Sequence, residues 1–246
     1  MAVDVHCHLQ DLDESYVERL SRQRTVFPII AGYSESSNKK AFELSKKYGF
    51  PFYAGIAPQV AIKETFSMAK IKKLLEYAVA LGEIGLDYKW AKNEQDKKRQ
   101  KDVFIKLLDL AHTLDLPVVI HCRNAYNELI DLLKEYGNKM PLMMHSFFGT
   151  TLHATLLLEW NVLFSINTVK TKDKKSVIAR LPMKFFVTET DCPYIDKNPE
   201  MIYKSLSLIS ETKGLKDLEV EKETTKNAIS FFNLKNNDIY KYRISL

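Results

Sequence analysis

The sequence predicts an α/β fold, a TIM-like (β/α)8 barrel forming a single domain over residues 1–246, and three observations point to it. Eight short apolar or β-branched runs alternate with longer amphipathic ones, the pattern of parallel strands joined by helices. The residues able to bind metals or move protons fall at the ends of those runs, where a barrel carries its chemistry. The length of 246 residues suits one such barrel, commonly of about 250, and no Pro/Gly/Ser-rich or low-complexity stretch divides it.

In chain order, the first four strand-like runs are Ala2–His6, Val26–Ala31, Phe52–Ala57 and Ala78–Ile84. The last four are Pro117–His121, Pro141–His145, Val162–Ile166 and Phe185–Glu189. Each has the length and apolar character of a buried strand. The clearest helix spans Lys101–Leu114, where Val103, Phe104, Leu107, Leu108, Leu110, Ala111 and Leu114 recur at three- and four-residue spacing. Eight strands favour a closed barrel over an open doubly wound sheet. So does the lack of a Gly-rich phosphate loop after the first strand.

Composition limits the function. The net charge of +5, from 36 basic and 31 acidic residues, is too small for a dedicated DNA-binding protein, yet permits a phosphate-bearing substrate. No apolar run approaches the roughly 20 residues that span a bilayer, and the N-terminus has no basic leader followed by an apolar stretch, so no membrane or secretory role is expected. Three cysteines leave one over in any disulfide scheme, which suits a reducing, cytoplasmic compartment.

Six side chains at strand ends form the candidate site. His6 and His8 finish the first run as His-Cys-His, and residues two apart on a strand face the same side. Glu83 closes the fourth run, His121 the fifth and His145 the sixth, while Asp191 follows the eighth. Any one alone is more simply a packing or loop residue; together they converge. Imidazole and carboxylate without thiolate suit Zn, Mn, Ni or Co and tolerate Mg. More than four donors exceed one tetrahedral zinc, so a two-metal centre fits better, with Glu83 as the bridge. Asp191 and Glu83 are the candidate catalytic carboxylates.

Other residues take plainer roles. Cys7 and Cys122 each adjoin an inward-facing residue, so strand alternation turns them outward to pack beneath helices. Cys192 lies beyond the last strand, where that argument weakens. His112 and His153 fall within helical patterns, and Trp90, Trp160, Phe147, Phe148, Phe185 and Phe186 are expected to pack in the core or barrel mouth, Phe147 nearest the pocket. Lys170, Lys172, Lys174 and Lys175 after the seventh strand read as a solvated helix start, with a nucleic-acid guide as the sharper alternative.

The motifs carry a resemblance. Asp4-Val5-His6-Cys7-His8-Leu9, Gly82-Glu83-Ile84-Gly85-Leu86-Asp87-Tyr88 and Leu116-Pro117-Val118-Val119-Ile120-His121-Cys122-Arg123 occur in that order. They are followed by His145-Ser146-Phe147-Phe148-Gly149, Glu189-Thr190-Asp191-Cys192-Pro193-Tyr194 and Asn227-Ala228-Ile229-Ser230-Phe231-Phe232. With Gln100 before the fifth strand, the set resembles the TatD family of metal-dependent deoxyribonucleases, among the amidohydrolase-like barrels. The resemblance implies one or two divalent metals and hydrolysis of phosphodiester bonds in DNA, often as an exonuclease. By the same resemblance His6 and His8 bind the first metal, Glu83 bridges, and His121 and His145 serve the second. Asp191 touches a metal and handles the proton of the attacking water, and Arg123 meets a substrate phosphate.

Two departures bear on substrate rather than metal. The family usually carries Gly-x-His-Pro after its third strand, where this chain reads Gly55-Ile56-Ala57-Pro58, and the loop after Tyr194 is short. Two rival readings stand beside the nuclease: a hydrolase of an amide, lactone or aminoacyl ester on the same barrel, and a weakened barrel that keeps its metals as a binding module. DNA is the expected partner, with no obligate protein partner.

Overall fold

The computed structural model describes residues 1–234; residues 235–246, and with them the end of the expected domain, lie outside the described residues. Eight strands run in chain order: β1 (Val3–Cys7), β2 (Phe27–Ala31), β3 (Phe52–Tyr53), β4 (Leu81–Asp87), β5 (Val118–Arg123), β6 (Leu142–Met144), β7 (Leu163–Ile166) and β8 (Phe186–Thr188). All pairings are parallel and sequential, in one ladder of β1 to β3 and another of β4 to β8. Two seams join the ladders. Ala54 bridges to Leu81, with Gly82 N–H donating to Ala54 O at 3.1 Å. On the other side, Asp191 N–H donates to His6 O (2.9 Å) and His8 N–H to Cys192 O (2.8 Å). These bonds close the barrel that the eight runs predicted.

Helices separate the strands: α1 (Glu14–Gln23), α2 (Glu35–Tyr48), α3 (Pro58–Ala61), α4 (Met68–Leu75) and α5 (Glu94–Thr113) come first. They are followed by α6 (Tyr126–Leu133), α7 (Thr151–Leu157), α8 (Lys172–Arg180), α9 (Ile202–Lys213) and α10 (Asp217–Phe231). Their starts obey local chemistry. Asp13, Ser34, Asn93, Thr150 and Thr171 each accept a backbone N–H of the first turn, satisfying a donor that the helix leaves open. The expected helix over 101–114 is the C-terminal part of α5, whose Phe104, Leu107, Leu108 and Ala111 are buried. Among the described residues, no helix is long and apolar enough to cross a membrane.

Strand bounds shift in ways that matter for the site. The third strand stops at Tyr53 rather than Ala57: beyond it pairing is reduced to the single Ala54–Leu81 bridge, and Gly55 lies against Gly82, where a Cβ would meet the carbonyl carbon at 2.5 Å. The fourth runs three residues later than expected, drawn on by pairing of Ile84–Asp87 with Ile120–Arg123. Glu83 therefore stands inside β4, where the register shifts, and His121 inside β5; neither closes its strand. His145 and Asp191 lie just past β6 and β8. Asn124, Ser146 and Asp191 turn the chain at these ends with φ of 57°, 47° and 50°, a left-handed backbone that costs energy and clusters at functional sites.

Candidate metal centre

The barrel gathers all six predicted residues at one point. His6 Nε2 lies 3.1 Å from His8 Nε2, 3.6 Å from Asp191 Oδ1 and 3.8 Å from Glu83 Oε2, while His8 Nε2 is 3.3 Å from Asp191 Oδ1. On the other side of the same carboxylate, His121 Nδ1 lies 3.0 Å from Glu83 Oε1 and 3.2 Å from His145 Nε2, with His145 Nε2 3.7 Å from Glu83 Oε1. The two oxygens of Glu83 thus face two separate donor groups: His6 and His8, with Asp191, on one side; His121 and His145 on the other.

The spacing suits metal ions. Bonds of about 2.0–2.2 Å to a tetrahedral ion set its ligand atoms about 3.3–3.6 Å apart, close to these separations. The outward nitrogens agree. His8 Nδ1 donates to Ala31 O at 2.8 Å, His121 Nε2 meets Asp87 Oδ2 at 2.9 Å, and His145 Nδ1 meets Glu189 Oε2 at 3.3 Å. The Tyr53 hydroxyl holds His6 Nδ1 at 2.6 Å. Each ring has one nitrogen anchored from behind, so the other is left for the centre; such anchoring fixes tautomer and orientation at metal sites.

Electrostatics point the same way. Burial alone would raise Glu83, but the His121 hydrogen bond and the surrounding imidazoles pull it down to about 2, so it is ionised. Burial opposes charge on His121, yet Asp87 and Glu83 raise it to about 10. Burial and the neighbouring imidazoles hold His6 well below the usual histidine range, leaving a neutral ring with a lone pair. Buried carboxylates that draw a proton onto a buried imidazole mark a place that favours positive charge.

Beside the centre opens a groove of about 900 Å³, lined among others by His121, Arg123, Tyr126, His145, Ser146, Phe148 and Asp191. Arg123 is exposed at its wall, as a phosphate partner must be. Ala57 is fully buried at the start of α3, its N–H bonded to Tyr33 O (2.9 Å), and is not part of the groove lining.

Residues 3–233 match the model of the TatD related DNase family. The chain belongs to that family. Among TatD relatives, the uncharacterized metal-dependent hydrolase YabD of Bacillus subtilis is 31% identical, with 95% of this chain and 100% of that protein covered. The human deoxyribonuclease TATDN3 is 29% identical, with 94% of each chain covered. The crystal structure of the TatD homologue YJJV of Escherichia coli superposes with a TM-score of 0.83 at 25% identity, covering 95% of this chain and 98% of that one.

Within this TatD barrel, several side chains differ from expectation. Phe148 lines the groove and is 41% exposed, whereas Phe147 is wholly buried: the left-handed Ser146 resets which neighbour faces the site. Trp90 packs in neither core nor mouth; it is 45% exposed beneath Lys63. Lys174 is not a solvated helix residue but fully buried, its ammonium donating to Asn167 Oδ1. Cys7 turns away as expected, donating to Ile29 O at 3.5 Å, and all three thiols are buried and unpaired. Sequence reasoning missed Asp87, Glu189 and Tyr53 as anchors, though Asp87 and Glu189 stand inside the quoted motifs. It also missed Asp4, which accepts from His6 N–H (3.3 Å) and Thr190 N–H (3.0 Å), clipping the segments that carry His6 and Asp191 together. His153 caps α7, as a helix residue should, and also lines the groove.

Proposed function

We propose that this protein is a divalent-metal-dependent phosphodiesterase that degrades DNA, working as one catalytic domain in the cytoplasm. The observation that carries the reading is Glu83, whose two oxygens face two separate histidine pairs at the head of a groove walled by Arg123. The names of the relatives, a metal-dependent hydrolase and a deoxyribonuclease, support it. The odd count of three cysteines suits a reducing compartment.

In this reading His6, His8 and Asp191 would hold one ion and His121 and His145 the other, with Glu83 shared between the two groups. The donor set admits Zn, Mn, Ni, Co or Mg. Two such ions, when bound, lower the pKa of a water and neutralise charge on the phosphoryl oxygens. The chain's own residues do the rest. Glu83, held ionised, keeps the two halves at a fixed separation, and the anchored imidazoles need no reorganisation during the reaction. Asp191 lines the groove with 14% of its side chain exposed, and accepts the proton of the attacking water. Arg123 offers a planar fork to a phosphate of the bound strand.

The test is hydrolysis by protein stripped and then reloaded with Mn, Mg or Zn. Substrates are single-stranded and duplex oligonucleotides and a small phosphodiester. Metal-dependent release of nucleotides is expected. No cleavage of any phosphodiester by protein with measured, full metal occupancy would overturn the reading.

A further inference from the structure

Ser146 follows His145 directly and lines the groove together with His121, His145 and Asp191. It is nearly buried, at 9% exposure, and its hydroxyl has one partner among the described residues: Asn167 Nδ2, which donates to Ser146 Oγ at 2.7 Å. The direction of that bond is not arbitrary. Asn167 Oδ1 receives the Lys174 ammonium and the Val169 N–H, the latter at 3.2 Å. Both are donors with no lone pair to offer, so the oxygen of the amide must face them. The amide nitrogen then faces Ser146 and, at 3.5 Å, Glu189 Oε1. A serine hydroxyl whose oxygen already accepts has its own proton to give elsewhere, and here the open side is the groove.

Lys174 makes this arrangement rigid. It is fully buried in α8, with Asn167 in front of it and the ring of Phe148, another groove residue, 4.1 Å from its nitrogen. A buried ammonium beside a neutral amide is costly, and burial in this position gains the orientation of one side-chain amide. Glu189, the other acceptor of that amide, is the carboxylate that anchors His145. One chain of hydrogen bonds therefore sets both the ring of His145 and the proton of Ser146.

We propose that Ser146 donates a hydrogen bond to a non-bridging phosphoryl oxygen of the substrate, with Lys174 and Asn167 as positioning residues that fix the hydroxyl's polarity. The proposal rests on the phosphodiesterase reading of the same site. Bound metal ions would neutralise part of the charge on the phosphoryl oxygens, and a fixed neutral donor on the groove wall serves the oxygen that faces protein. Such a donor acts without reorganisation, because its acceptor side is already occupied.

The experiment compares wild type, Ser146→Ala, Asn167→Asp and the double variant, with metal content and melting temperature measured for each. The readouts are kcat and KM on a small phosphodiester and the affinity for inorganic phosphate in the metal-loaded protein. Ser146→Ala is expected to lower kcat/KM about 10- to 100-fold and to weaken phosphate binding. Asn167→Asp keeps a partner for Lys174 but turns the amide donor into an acceptor, which draws the Ser146 proton away from the groove. It should reproduce the Ser146→Ala loss with the hydroxyl still present. The double variant should be no worse than the poorer single one, since both remove the same bond; a purely structural or purely charge effect of Asn167→Asp would add instead. Phosphate affinity equal in wild type and Ser146→Ala, no phosphate binding by wild type, or additive losses in the double variant would each overturn the proposal. Wild type that binds phosphate through Ser146 yet cleaves no phosphodiester would refute the nuclease reading alone.

Discussion

Glu83 presents one oxygen to each histidine pair, so its charge serves both halves of the centre at once. Glu83→Gln keeps the shape and removes the charge. It is expected to lower metal content and activity with the fold intact, and unchanged occupancy would refute the bridging role. Asp87 acts one step further back, holding His121 Nε2 at 2.9 Å. For Asp87→Asn a loss of about 10- to 100-fold in metal affinity or activity is expected, the usual effect of removing a partner behind a ligand. A titration of the stripped protein with metal measures it. Lys174 gives a pH signature. Burial pulls its ammonium down from 10.5 to about 8. Between pH 8 and 10.5 the folded state has therefore released a proton that the unfolded chain still holds, so stability rises with pH in that window. Below pH 8 both states are protonated and the cost of burying the charge is present in full. Lys174→Met should remove this rise, measured as the difference between wild type and variant in unfolding free energy from pH 7 to 10.5. Parallel curves would count against it.

At the scale of elements, the pairing of β4 with β5 places Glu83 beside His121. That pairing depends on Gly85, opposite His121 in the register, with φ of 143° and a position where a Cβ would fall 1.9 Å from His121 O. No side chain fits there without moving β5, and an L residue is strained at that φ in any case. Gly85→Ala is expected to cost about 3 kcal/mol, combining backbone strain with overpacking, and to lower metal affinity as His121 shifts. Denaturant unfolding with metal titration checks both. A variant of wild-type stability would mean that the ladder gives way more easily than its geometry suggests.

Across the whole molecule, the proposed ligands come from β1 and the residue after it, from β4 and β5, and from the turns after β6 and β8, so bound ions would tie together segments that are distant in sequence. The barrel also has its own closure, through the Ala54–Leu81 bridge and the bonds between the ends of β1 and β8. Metal removal should therefore leave a folded protein of lower stability. A ligand at 1,000 times its dissociation constant adds about 4 kcal/mol, which for a chain of this size is a rise of about 10 °C in Tm. Thermal unfolding of stripped protein with increasing Mn or Zn tests this. Loss of native circular dichroism on chelation at 25 °C would show instead that the ions hold the barrel closed.

The amino-acid sequence by itself determined the alternation of eight strands with helices, because burial of a strand or helix face writes its period into the chain. It also determined the six converging side chains, because a parallel barrel brings its chemical residues to one end whatever the details of each strand. Parity placed Cys7 outward for the same reason. Tertiary structure alone decided where Glu83 and His121 stand within their strands, since register follows from the neighbouring strand and not from local apolarity. It alone turned Phe148 rather than Phe147 into the groove, through the left-handed backbone at Ser146. The lysines after β7 look alike in sequence, and only packing of α8 buries Lys174 against Asn167. Asp87, Glu189, Asp4 and Tyr53 were present in the chain as ordinary polar residues. They became anchors because hydrogen-bond partners far apart in sequence meet only when the barrel closes.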